Sequence, residues 1–161
     1  MTKRLKTNEA FRDKRVNQKQ TGKYPGDTRC PDCGLVFTGG VWRKADSAAV
    51  RGALSKPCPA CQQIRDGRVG GLVDIGGSFT SGHREELLNR IRNVEKQTAE
   101  GRPMERIISI QETKNRILVS VTTEHLVARI GKAVQRDFGG DLQLKYAPEE
   151  KFATAHWRRD L

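Results

Sequence analysis

The sequence predicts an α+β protein in three parts. Residues 1–29 read as a basic arm, residues 30–70 as a zinc-ribbon module, and residues 71–161 as a ferredoxin-like βαββαβ sandwich followed by one more strand. Three observations carry this division. Cationic charge is crowded at the N-terminus, four cysteines fall in two C-x-x-C pairs, and strand and helix signals alternate through residues 71–161.

The arm holds nine Lys/Arg against Glu9, Asp13 and Asp27. Its few apolar side chains, among them Leu5, Phe11 and Val16, form no strong helical stripe. Such a segment buries too little surface to offset its ordering entropy, so it is expected to be disordered when free. Arg12, Lys14, Arg15, Lys19, Lys23 and Arg29 are its candidate contacts to a polyanion. The plainer alternative is a tail that only keeps the protein soluble.

The cysteines read Cys30-Pro31-Asp32-Cys33-Gly34 and, after 24 residues from 34 to 57, Cys58-Pro59-Ala60-Cys61. Two such pairs are the spacing of a four-thiolate zinc site. Each pair turns tightly and aims two sulfurs at one point, and four thiolates close a tetrahedron about 2.3 Å from the metal. A redox C-x-x-C needs only one pair, on a βαβ unit. An iron–sulfur cluster uses the same ligands, but the prolines inside the paired turns favour Zn2+. With Cys30, Cys33, Cys58 and Cys61 filling every position, no place is left for a catalytic water, and the metal is expected to be structural.

Between the pairs, Leu35-Val36-Phe37, Thr38-Gly39-Gly40 and Val41-Trp42-Arg43 predict a small hairpin, and Asp46 is expected to cap a short helix through Leu54. Trp42 stands beside Arg43 and Lys44. An aromatic flanked by cations can stack on a base and hold a phosphate. It can equally pack over the cysteines as a small core.

From residue 71 the elements follow in order. Gly71–Ile75 predicts a strand, and Gly76–Gly82 a turn that opens a helix with Ser81 as its cap. Leu87, Leu88, Ile91 and Val94 make that helix's apolar stripe, with Glu85 and Glu86 in its first turn and Gly101 and Pro103 at its close. Arg106–Glu112 and Arg116–Thr122 alternate around a turn at 113–115 and predict a hairpin. Thr123-Glu124 starts a second helix with Leu126, Ile130, Val134 and Phe138 facing inward, and Gly139-Gly140 ends it. Leu142–Ala147 and Phe152–Trp157 predict two last strands around a Pro148-Glu149-Glu150 turn.

Composition narrows the function. The 161 residues carry 30 Lys/Arg and 19 Asp/Glu, a net +11 with pI near 9.9, and only 35% are hydrophobic. Residues 71–161 are almost balanced, with 15 basic and 13 acidic groups, so the charge that seeks a polyanion lies in the first 70. No run approaches the ~20 apolar residues of a membrane span, and no apolar stretch follows the basic N-terminus, so no secretory signal and a cytoplasmic location are expected. The glycine-rich turn after Ile75 lacks the pattern of a nucleotide cradle. His83, His125 and His156 are scattered, and no nucleophile–base or paired-carboxylate pattern emerges, so an enzyme is not expected. The two central strands of the expected sheet also lack the aromatic pair that many RNA-binding sheets use.

The two cysteine turns CPDCG and CPACQ, the stretches RIISIQE and VTTEHLVARIGKAV, and the terminal AHWRR resemble bacterial zinc-ribbon proteins described as "NMD protein affecting ribosome stability and mRNA decay". The resemblance covers roughly residues 25–159, and Val121 to Ala133 is its most distinctive piece. That family takes its name from similarity to the zinc region of the archaeal and eukaryotic large-subunit export adaptor, which has more cysteines and more domains. What the resemblance implies is zinc ligation by the four cysteines and association with the ribosome. Charge and resemblance together lead to one expectation. It is a non-enzymatic factor that binds ribosomal RNA, the large subunit favoured, through its arm and ribbon, with a role in ribosome stability, dormancy (hibernation) or translation. The alternative is a DNA-binding zinc-ribbon transcriptional regulator, although no helix gathers Arg, Lys, Asn and Gln on one face in a helix-turn-helix setting.

Overall fold

The computed structural model describes residues 24, 27–44 and 53–161. Arg12, Lys14, Arg15, Lys19 and Lys23 therefore lie outside the described residues. The chain forms a mixed α+β structure with two sheets.

The cysteine-bearing module holds four short strands, β1 (Thr28–Arg29), β2 (Val36–Thr38), β3 (Val41–Arg43) and β4 (Leu54–Ser55), in the order β3-β2-β1-β4. The expected hairpin is β2–β3. Its two linking residues, Gly39 and Gly40, have φ of +61° and +83°, the paired left-handed conformation that matches strand twist in a two-residue turn. Of the helix expected after Asp46, residues 45–52 lie outside the described residues. Leu54, its expected end, is instead in β4, where it pairs parallel with Thr28. A seven-residue helix, α1 (Pro59–Arg65), closes the module.

The larger sheet is built from β5 (Gly71–Gly76), β6 (Ile107–Thr113), β7 (Arg116–Val121), β8 (Asp141–Ala147) and β9 (Phe152–Arg158), in the order β6-β7-β5-β9-β8. Helices α2 (Ser78–Gly82), α3 (Arg84–Gly101) and α4 (Glu124–Phe138) connect them. Strand alternation sends Val73, Ile75, Ile117, Val119, Ala155 and Trp157 to one face. There they meet Leu87, Ile91 and Val94 of α3 and Leu126, Ile130 and Val134 of α4, and most of this core is fully buried. Thr123 caps α4 as expected, its Oγ1 accepting from the Leu126 N–H at 3.2 Å. Gly139 and Gly140 end α4 with positive φ, and the Trp157 Nε1–H donates to the Gly139 carbonyl at 2.6 Å, pinning the helix end to the sheet. Among the described residues no helix is long and apolar enough to cross a membrane.

Two expectations need correction. Ser81 does not cap the long helix. It lies within α2, and the chain breaks at His83 (φ −128°, ψ 25°) before α3 begins. The break lets the His83 ring stack on Phe79 with centroids 3.8 Å apart. The last strand also takes a place the sequence did not indicate. In a four-stranded split βαβ sheet, the strand after the second helix would lie beside the first. Here β9 lies there, parallel to β5, and β8 is displaced to the edge, antiparallel to β9.

The even-numbered positions of β5, β7 and β9 face away from the helices. Leu72, Leu118 and Phe152 cluster there with Val69. Beside them Asp74, 3% exposed, receives two hydrogen bonds from Arg116, at 2.7 and 3.0 Å, and lies 3.3 Å from His156 Nδ1. Burial raises the Asp74 carboxyl, but the hydrogen bonds and charges of His156 and Arg116 outweigh it and hold it below the usual range.

Candidate metal centre

The first cysteine pair is shaped by backbone hydrogen bonds. The Cys30 N–H donates to the Leu35 carbonyl at 2.8 Å, and the Gly34 N–H returns to the Cys30 carbonyl at 3.0 Å. Gly34 closes this turn at φ +77°, where a side chain would be strained. The second pair is a helix start. Cys58 is the N-cap of α1, Pro59 occupies the first turn, and the Cys61 N–H donates to the Cys58 sulfur at 3.4 Å.

These two devices bring four sulfurs together. All four Sγ atoms lie within 4.8 Å of one another, and Cys33 and Cys58 are 3.8 Å apart. Four ligands at about 2.3 Å in a tetrahedron have edges of about 3.8 Å, the Cys33–Cys58 separation, so these four sulfurs could hold one metal ion. Cys30, Cys58 and Cys61 are buried, and Cys33 is exposed. Burial raises the thiols of Cys58 and Cys61. Burial also raises Cys30, but backbone N–H groups of Cys58, Cys33 and Asp32 outweigh it and bring that thiol down to about 7.

The centre has a further neighbour that sequence reading missed. Arg106, at the entry to β6, donates from Nη1 to Cys61 Sγ at 3.0 Å and from Nη2 to Cys33 and Cys58 Sγ at 3.3 and 3.6 Å. One guanidinium thus covers the face of the tetrahedron formed by those three sulfurs. Its Nε donates to the Pro103 carbonyl at 2.8 Å, which fixes the fork. Four thiolates around a divalent ion leave two excess negative charges, and Arg106 offsets one of them. Burial disfavours the charged guanidinium, but the bond to Cys33 and the charges of Cys58, Cys33 and Cys61 raise its pKa on balance.

Other contacts fasten the module to the larger sheet. Gln63 of α1, buried, donates to the Thr122 carbonyl at 2.9 Å, and Met104 packs against the cysteines. Arg65 reaches Asp32 across the two pairs at 2.5 Å, but both side chains are well exposed, so this pair contributes little.

The predicted nucleic-acid contacts divide. Trp42 packs with Tyr24 and Phe37 at centroid distances of 4.9 and 5.5 Å and lies against the cysteine cluster. The packing alternative accounts for these contacts of its ring. Register explains the arrangement: Trp42 is opposite Phe37, whereas Arg43, Val36 and Arg29 form the adjacent cross-strand row. Arg29 and Arg43 therefore share one face of the small sheet, two strands apart, and both are exposed, as is Lys44. Comparison with family models, curated proteins and solved structures finds no match to this chain.

Proposed function

We propose that this protein is a non-enzymatic, cytoplasmic factor that associates with the ribosome, and that the cysteine centre holds a structural zinc ion. The observation that carries the metal is the set of four convergent sulfurs with an edge of 3.8 Å, capped by Arg106 rather than left open to a reactant. Cys30, Cys33, Cys58 and Cys61 would hold the ion, which supplies charge and rigidity there and no reaction step. The larger unit is read as a ferredoxin-like sandwich in which β9 takes the place beside β5 and β8 extends the sheet at its edge.

The observation that supports RNA is charge. The chain carries +11, with nine cations in residues 1–29, the exposed Arg29 of β1 among them, and with Arg43 and Lys44 exposed at and just after the end of β3. A folded module next in sequence to a cationic segment suits a crevice of ribosomal RNA, where cations neutralise backbone phosphates. The large subunit is the favoured partner, and stability, dormancy or translation of the ribosome the affected property.

Sedimentation of a cell lysate tests this reading. The protein should travel with the large-subunit or whole-ribosome peak at low salt and leave it at high salt. Migration at the top of the gradient, unchanged by salt, would contradict it. Retention on chromosomal DNA would favour the regulator alternative.

A further inference from the structure

Residues 71–161 are nearly neutral as a sequence, yet the fold sorts their charge. Helices α3 and α4 pack side by side and leave a groove of about 310 Å³ between their outer surfaces. Arg90 of α3 and Arg129, Lys132 and Arg136 of α4 line it, over a floor that includes Val94 and Ala133. The three α4 cations stand at i, i+3 and i+7, so they form one row rising about 10 Å along the helix.

Carboxylates neutralise only part of this row. Asp137 is shared, 2.5 Å from Arg90 and 3.5 Å from Arg136. Glu105, almost buried, lies 3.7 Å from Arg129. Lys132 is exposed and has no ion-pair partner among the described residues. Four cations against two carboxylates leave an excess of two.

The groove is also placed beside the module read above as RNA-facing. A second groove, lined by Val41–Lys44 of the ribbon and by Ala99, Glu100 and Gly101, lies on the last turns of α3. Those turns directly follow Gln97 and Thr98, which line the cationic groove.

We infer that the α3–α4 groove binds the phosphate backbone of RNA, as a contact separate from the arm and the ribbon. This inference rests on the RNA reading above and adds a surface to it. A nucleic-acid strand carries one charge per ~3.4 Å of axis, so a ~10 Å row meets more than one phosphate. No aromatic side chain lines the groove, so it offers no ring on which a base could stack and the cations carry the contact.

The test uses the full-length, metal-loaded protein and two labelled probes, a large-subunit ribosomal RNA fragment and a DNA duplex of equal length. Affinity is measured across a salt series for wild type, Lys132→Gln/Arg136→Gln, Lys132→Glu, Lys132→Arg and Lys145→Gln. All altered side chains are exposed. The double variant should lower the log–log salt slope on RNA by about 1.4, roughly 0.7 per lost phosphate contact, and weaken binding about tenfold or more at low salt. Lys132→Glu should weaken it as well, while Lys132→Arg and Lys145→Gln should retain it. Wild-type binding with an unchanged slope and affinity in the double variant overturns the groove and leaves the RNA reading standing. An effect confined to the DNA duplex overturns it too. Failure of the wild type to bind the RNA overturns both.

Discussion

Arg106 is the residue on which the metal centre and the larger sheet meet. Its guanidinium touches three of the four sulfurs while its Nε holds Pro103, so replacing it removes a charge from the centre and a tie between two units. Arg106→Gln should lower zinc affinity about 10–100-fold, the usual effect of losing a partner that orients or balances metal ligands. Competition with a coloured chelator reads this directly, and equal affinity in the variant would argue against the cap. Exposure makes a second prediction. Cys30 and Cys58 are fully buried and Cys33 is exposed, so in the folded, metal-loaded protein a thiol-alkylating reagent should label Cys33 first. Labelling that begins at Cys58 would show that the sulfur cluster is arranged otherwise. The ligands themselves were legible, because a C-x-x-C turn writes its geometry into four consecutive residues. Arg106 was not. It lies 45 residues beyond Cys61 inside a stretch that reads simply as a strand, and only the packing of β6 against the module brings it to the sulfurs.

Among the elements, those with a local code emerged nearly as expected. The helix α4 has a side-chain cap at Thr123, an inward stripe and a glycine stop, and each is visible within a few residues of the end it defines. Ile130 is fully buried at the centre of that stripe, and Ile130→Ala should cost about 2–5 kcal/mol in urea unfolding. A cost under ~1 kcal/mol would mean the site collapses freely or is not core. Strand order was not legible, because β9 chooses β5 over β8's place by packing Ala153, Ala155 and Trp157 beneath α4, a choice no local pattern records. The same pairing sets His156 beside Asp74, 82 residues away. The Asp74 carboxyl is held below its unfolded value, so its contribution is present above about pH 4 and is lost as pH falls through the lower folded value. Asp74→Asn should therefore flatten the acid limb of the stability–pH curve. An unchanged limb would mean that other carboxylates set it.

At the scale of the whole molecule, the two sheets have separate cores joined by a few specific contacts. The large core is drawn from residues 73–157 alone, whereas the cysteine cluster is small and is completed by Trp42 and Met104. Removing the metal should release the cysteine module while the larger sheet keeps its cooperative thermal transition, seen as retained helix signal with loss of protection at residues 28–61 in hydrogen exchange. Loss of the whole transition on chelation would show that the larger sheet needs the module to fold. Binding of zinc should also weaken on acidification, because burial raises the thiols of Cys58 and Cys61 and protons then compete with the metal. In the proposed function, a cationic segment, a metal-braced ribbon and a charged helical groove together grip ribosomal RNA. Ultraviolet cross-linking in living cells, followed by sequencing of the RNA joined to the protein, tests it most directly. Large-subunit ribosomal RNA should dominate the cross-links, which should cluster at a few sites. Cross-links spread in proportion to total cellular RNA, or none above background, would contradict it.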